Sequence, residues 1–223
     1  MALSEPIVSR YCLIRDRRII VNGAIQIEEE QGADFGSFLS SVYKTFGSEY
    51  PKFFKMDPLS KLGVLTADFL LESGKRLRPY QSEEIAIIAA NTHSSLETDD
   101  RYYRTIEDQA NYYPNPALFV YTLPNLLIGE ISIKFAIKGE SVFFISRQPD
   151  FKWLHTYSDI LLETPGTKTV IVGWVDLDVN RNYESILFLV ENQDPKKGYK
   201  GTWPFTPEAM EHLYFEKNLE EEG

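Results

Sequence analysis

The chain has 223 residues, 43% hydrophobic and 25% charged, a composition that excludes disordered, collagen-like and membrane-embedded classes. Its 23 Lys and Arg against 33 Asp and Glu give a formal charge of −10, which disfavours general affinity for nucleic-acid phosphates or anionic lipid heads. One cysteine, Cys12, excludes an internal disulfide and any CxxC motif; with no basic-then-apolar leader and no apolar run near the about 18 residues of a membrane span, a cytoplasmic protein without a membrane span is expected.

Asn22-Gly23 lies between the short β-branched runs Arg17–Val21 and Ala24–Ile27, which predicts a type I′ hairpin. Phe35, Phe38, Leu39, Val42 and Phe46 recur at helical spacing after Asp34. A second helix is predicted with Asp57 as N-cap and Pro58 in its first turn; Leu59, Leu62, Thr66, Phe69 and Leu70 form its stripe, and Gly74 supplies a left-handed stop. The short apolar runs at 84–90, 142–145, 169–173 and 185–190 suit buried strands of a largely parallel sheet. Between them, 124–138 and 150–163 carry helical stripes, the latter opened by Asp150. Residues 193–203 suit a mobile loop, and 206–222 suit a helix whose final glutamates sit unfavourably at its negative end. Strands alternating with helices predict the α/β class.

Recognisable catalytic motifs are missing. The sequence contains no GxxxxGK[ST], GxGxxG, GxSxG or HExxH. His93, His155 and His212 stand apart from one another and from Cys12, so no metal site is expected. His155, on a predicted helix beside Trp153 and Leu154, reads as a hydrogen-bonded, partly buried side chain. His93 follows a predicted strand, where loops of α/β sheets carry function, although the same residues suit a plain turn and helix cap.

Pro124-Asn125-Leu126-Leu127-Ile128-Gly129-Glu130-Ile131-Ser132-Ile133, followed by Lys138-Gly139 and the strand to Ile145, resembles the helix and strand preceding the nucleophile in β-ketoacyl synthases of the thiolase-like fold. Gly129 in mid-helix is expected to admit a close backbone neighbour. Met56 to Leu62 resembles the start of that family's first long helix, Val170 to Asp176 its Gly-Gly-x-acid strand end, and Tyr183 to Asn192 the strand closing its N-terminal half. The resemblance spans roughly residues 50 to 192. It looks closest to the short β-ketoacyl synthase N-terminal proteins beside bacterial lipid, aryl-polyene and polyketide-like pathways.

The resemblance implies a thiolase-like half: one α/β/α-layered domain over 1–223 with a mixed, mostly parallel sheet. A hairpin and helix fill 1–48, the family-like core 49–192, and a loop and helix 193–223. In the family a cysteine follows the 141–145 strand, where helix amides and histidines favour its thiolate. Here Gln148 falls at or beside that position, and glutamine forms no thioester. Glutamine there is similar to chain-length-factor subunits and decarboxylating loading domains. The family half that carries the two catalytic histidines is also missing from this length. Trp174 replaces the second small glycine and fills space near the family's acyl pocket.

The implied role is a non-condensing subunit that pairs with a catalytic ketosynthase, or with itself, and shapes or measures an acyl chain. No cofactor is expected, and Asn125 and His93 are candidates for substrate contact. A half fold exposes a sheet layer or helix face for a partner, and Tyr102, Tyr103, Tyr112, Tyr113, Phe53 and Phe54 either join such a face or fill an aromatic core. An alternative is a malonyl-thioester decarboxylase in which Gln148 and nearby amides stabilise an enolate. That reaction uses an acyl carrier protein, itself typically acidic, so docking requires a basic patch such as Lys134, Lys138 and Arg147. A more remote alternative is an Asp-x-Asp phosphatase with Asp176 as nucleophile and Asp178 as acid/base, against which stands the common use of such acids as caps and turn formers.

Overall fold

The computed structural model describes residues 5–29, 34–192 and 201–215. One mixed sheet runs in the order β3-β2-β1-β7-β6-β4-β5, with β8 also paired to β1. Its strands are β1 (Pro6–Arg15), β2 (Arg18–Val21), β3 (Ala24–Glu28), β4 (Ile85–Asn91), β5 (Ser141–Ile145), β6 (Thr169–Leu177), β7 (Tyr183–Asn192) and β8 (Trp203–Pro204). Helices α1 (Phe35–Phe46), α2 (Pro58–Leu71) and α5 (Leu126–Phe135) cover one face; α6 (Phe151–Glu163) and α7 (Pro207–Phe215) cover the other. Helices α3 (Leu96–Tyr103) and α4 (Pro116–Val120) lie between β4 and α5 in the chain. The α/β/α layering expected from the sequence is present.

The parallel part of the sheet is smaller than expected. Only β4–β5 and β4–β6 are parallel; the pairings of β1, β2, β3, β7 and β8 are antiparallel. One reason is the short connection from Leu177 to Tyr183, which can only fold β7 back antiparallel on β6; another is β1, whose register shift between Val8 and Arg10 breaks its period-two pattern. That bulge turns Val8, Tyr11 and Leu13 to one core and Cys12 and Ile14 to the other. By contrast the hairpin forms as predicted, with positive φ at both Asn22 (51°) and Gly23 (79°), the geometry of a type I′ turn.

Helix α2 lies at the centre of the first layer. Asp57 caps it by accepting from Leu59 N–H (3.1 Å) and Ser60 N–H (3.3 Å), and Leu62, Leu65 and Leu70 are fully buried. Each such leucine contributes about 1.5–3 kcal/mol of burial. The helix ends at Glu72, itself left-handed at φ 49°, two residues before Gly74. Gly129 is not a close-approach glycine: an added Cβ would meet only Leu126 Cδ2, at 4.0 Å. The tight position is Gly63 on α2, where a Cβ would fall 2.1 Å from Leu127 Cδ1 of α5. Residues 193–200 of the expected loop and 216–222 of the expected helix lie outside the described residues.

Candidate functional site

Strand β4 sends the chain over the α5 face to β5, and β5 sends it back over the α6 face to β6. The connections diverge at the carboxyl ends of β4 and β5, the place where open α/β sheets form ligand crevices. Two of the residues singled out from the sequence flank this point, His93 after β4 and Gln148 after β5.

The loop after β4 is held from two sides. Asn91, fully buried at the strand end, accepts from Ser94 N–H and donates from Nδ2 to the Ser94 carbonyl, both at 2.9 Å. Its own carbonyl accepts Ser146 N–H (2.9 Å), which ties the β5 turn to this loop. From β6, Asp176 Oδ1 accepts Thr92 N–H (3.1 Å) and His93 N–H (3.0 Å), and Oδ2 lies 2.8 Å from His93 Nδ1. The carboxylate thus fixes both the loop and the ring, leaving Nε2 as the ring nitrogen free of Asp176. The imidazole is about one-third exposed, open to a ligand or partner at the crevice.

This geometry corrects the Asp-x-Asp reading. Both Asp176 oxygens are committed to the loop, and Asp178 closes a turn by accepting Asn182 N–H (2.9 Å) and Nδ2 (2.7 Å). Burial pushes the Asp178 carboxyl up, but those hydrogen bonds outweigh it and hold it below the usual aspartate value. Neither aspartate is placed as a nucleophile, and among the described residues no group of three His, Cys, Asp or Glu could hold a metal ion.

Gln148 is exposed in the turn between β5 and α6, where its carbonyl accepts Ser146 Oγ (2.8 Å) and Asp150 caps α6 through Trp153 N–H (2.9 Å). Asn125 is exposed at the start of α5 and its side chain makes no capping bond. It shares this end of the sheet, because Ser95 Oγ donates to the Thr122 carbonyl (2.8 Å). The histidines elsewhere have plain roles or none: His155 Nε2 lies 3.0 Å from the Phe205 carbonyl with its ring stacked on Phe205, and His212 is exposed on α7.

Cys12 has no exposed surface in the sheet, and burial pushes its thiol far above the usual range. Trp174 is buried in β6, donating from Nε1 to Glu184 (3.2 Å). Lys134 is unsuited to a docking patch because it is buried and paired with Asp68 beneath the surface, whereas Lys138 and Arg147 are exposed.

Exposed apolar groups gather in two places. Residues 103–123 form a flap in which Tyr103, Tyr112, Tyr113, Phe119, Val120 and Leu123 are each at least half exposed. Tyr102 packs on Phe119 (5.4 Å) to hold it together. On α6, Trp153, Tyr157 and Ile160 share one face next to Phe144 of β5, and Trp153 and Ile160 are about half exposed. Strand β5 is itself the sheet edge, hydrogen-bonded only to β4 among the described strands. Phe53 is core and Phe54 half exposed.

No family model and no curated protein matches the chain. Solved structures do. The ishigamide ketosynthase/chain length factor matches with a TM-score of 0.59 at 16% identity, over 87% of this chain and 64% of that one. A type II PKS acyl-carrier protein in complex with its ketosynthase, the AntDE:AntF assembly, matches at 0.57 and 12%, over 85% and 63%. A chain of the ketosynthase ApeO in complex with its chain length factor ApeC, from Xenorhabdus doucetiae, matches at 0.56 and 12%. Here 95% of this chain covers 90% of that one, so the two are of similar length. The chain spans a little under two thirds of the length of the first and second of these and nearly all of the third. It has the thiolase-like fold of ketosynthase and chain-length-factor chains.

Proposed function

We propose that the chain is a non-condensing, chain-length-factor-like subunit of a single β-ketoacyl-synthase N-terminal-like domain, which pairs with a catalytic ketosynthase in a fatty-acid, aryl-polyene or polyketide-type pathway. The observation that carries this reading is the location of its one cysteine. Cys12 is sealed inside the sheet on β1, while the turn after β5, which corresponds in the family resemblance to the nucleophile position, presents exposed Gln148. A chain built this way presents no thiolate at that turn to take up an acyl group as a ketosynthase cysteine does.

Pairing is supported by the α6 stripe, the 103–123 flap and the open β5 edge, since sheet edges and contiguous apolar surface are what interfaces cover. It is also supported by the similar length of a chain in the ApeO–ApeC complex. In such an assembly the side chains proposed to meet a partner and its acyl chain are His93 after β4, Gln148 after β5 and Asn125 at the start of α5, none of which is buried. An acyl carrier protein then docks on the ketosynthase or across the interface. Decarboxylation by Gln148 is the weaker reading, because an exposed amide in water offers little oxyanion stabilisation until a partner excludes solvent.

The test is a reconstituted elongation assay with the ketosynthase encoded by the same cell and its carrier protein. The chain alone should neither condense nor decarboxylate malonyl carrier protein, and adding it should change the yield or length of the ketosynthase products. Condensation by the chain alone, or identical products with and without it, would refute the proposal.

A further inference from the structure

Beside α4 lies a cleft of about 340 Å³, between the start of α2, the start of α4 and the β6–β7 turn. Lys55, Lys61, Arg101 and Arg181 line it, four cations from four separate chain segments of a protein whose formal charge is −10. Two buried carboxylates accompany them. Glu97 is shared between Arg181 Nη2 (3.3 Å) and Arg101 Nη1 (3.6 Å), and Asp57 is occupied by the backbone amides of α2 and by Thr98 Oγ1 (3.4 Å).

The cations remain in excess, even with Asp34 close enough to Arg181 to act on its charge. Lys55 and Lys61 have no ion pair among the described residues, and Lys61 is partly buried, with the Phe53 ring 5.9 Å from its ammonium and Asp57 close enough to act on its charge without a salt bridge. A cation partly withdrawn from water without a salt-bridge partner is costly and marks a place for an anion. Burial first, and then the charge of Arg101, push the Lys61 ammonium below its usual value while Asp57 opposes them, which agrees with that placement.

We propose that this cleft binds a small phosphate-bearing anion. The unpaired Lys55 and Lys61 suit a phosphate group, which carries about −1.5 to −2 at pH 7, and the two guanidinium forks suit its oxygens. The volume exceeds that of phosphate alone and leaves room for an organic substituent. The inference rests on the cleft and stands apart from the pairing with a ketosynthase.

Isothermal titration of the full chain with inorganic phosphate, glycerol 3-phosphate and acetate, at matched ionic strength, tests it. Phosphate should bind with a dissociation constant of about 1 mM or tighter, and acetate roughly tenfold more weakly. Lys61→Gln should weaken phosphate roughly tenfold, and Lys55→Gln, at an exposed side chain where folding is not in question, roughly threefold. Lys138→Gln, an exposed cation elsewhere, should change nothing. Tighter binding of the ester than of phosphate assigns the cleft to a phosphomonoester, and equal binding assigns it to the free anion. Absence of phosphate binding, or equal binding by the Lys55, Lys61 and Lys138 variants, overturns the proposal.

Discussion

Gly173→Ala is the sharpest structural test, because it strikes the strand that delivers Asp176 to the His93 loop. Gly173 sits in β6 opposite Leu187 of β7, and an added Cβ would lie 2.0 Å from the Ile186 carbonyl oxygen and 2.9 Å from Leu187 Cα. Real Cβ atoms essentially never approach closer than 3.0 Å, and both obstacles are backbone, so the strands must part by about 1 Å. Overpacking of this kind costs about 1–3 kcal/mol, and each weakened ladder hydrogen bond adds about 0.5–1.5 kcal/mol. Alanine returns about 0.5–1 kcal/mol of backbone entropy. The net expectation is a loss of about 2–4 kcal/mol, a large part of the roughly 5–15 kcal/mol stability of a domain. Urea unfolding should show a lower midpoint with an unchanged slope. Gly129→Ala is the matched control: with open space around its Cβ, it should gain about 0.5–1 kcal/mol from helix propensity. Gly173→Ala within about 0.5 kcal/mol of the parent would refute the reasoning.

Asp57→Asn should keep the α2 cap, since asparagine caps as well as aspartate, while changing the pH dependence of stability. Burial raises the Asp57 carboxyl above its ordinary 3.8, so the folded chain holds this proton longer than the unfolded chain and its share of stability falls as pH rises from 3.8 through the raised value. The difference between parent and variant in unfolding free energy should follow that window; a difference constant with pH would contradict it. Asp176→Ala should cost about 2–4 kcal/mol by stranding Thr92 N–H, His93 N–H and His93 Nδ1, and should broaden the amide resonances of residues 92–94; an unchanged loop spectrum would remove its positioning role. Phe119→Ser with Tyr113→Ser should weaken ketosynthase association by about 1–3 kcal/mol while leaving the isolated chain's thermal stability nearly unchanged, because both side chains are more than half exposed.

Much of the fold was legible because local chemistry and tertiary structure agree. Asn22-Gly23 takes the turn its φ preferences favour, Asp34 and Asp57 cap the helices they precede, and the unbroken apolar run of β4 is buried at every position. What stayed hidden depends on distant contacts. The bulge in β1 erased its alternation, so the antiparallel half of the sheet was underestimated. Gly129 drew attention as a mid-helix glycine, yet the close contact falls at Gly63, whose neighbour Leu127 lies 64 positions away in the chain. His93 was recognisable from its place after a strand. Its partnership with Asp176 was not, since 83 residues separate them and the aspartate carries a turn-like local sequence. Asn91, buried at the strand end, and the convergence of Lys61, Arg101 and Arg181 gave no local signal at all.

Native mass spectrometry of the protein purified from its own cells in mild salt measures the central claim most directly. The account predicts the 25.7 kDa chain in a discrete complex with a subunit whose peptides identify it as a cysteine-bearing ketosynthase. A lone monomer, or a homodimer that takes up no ketosynthase at micromolar concentration, would contradict it.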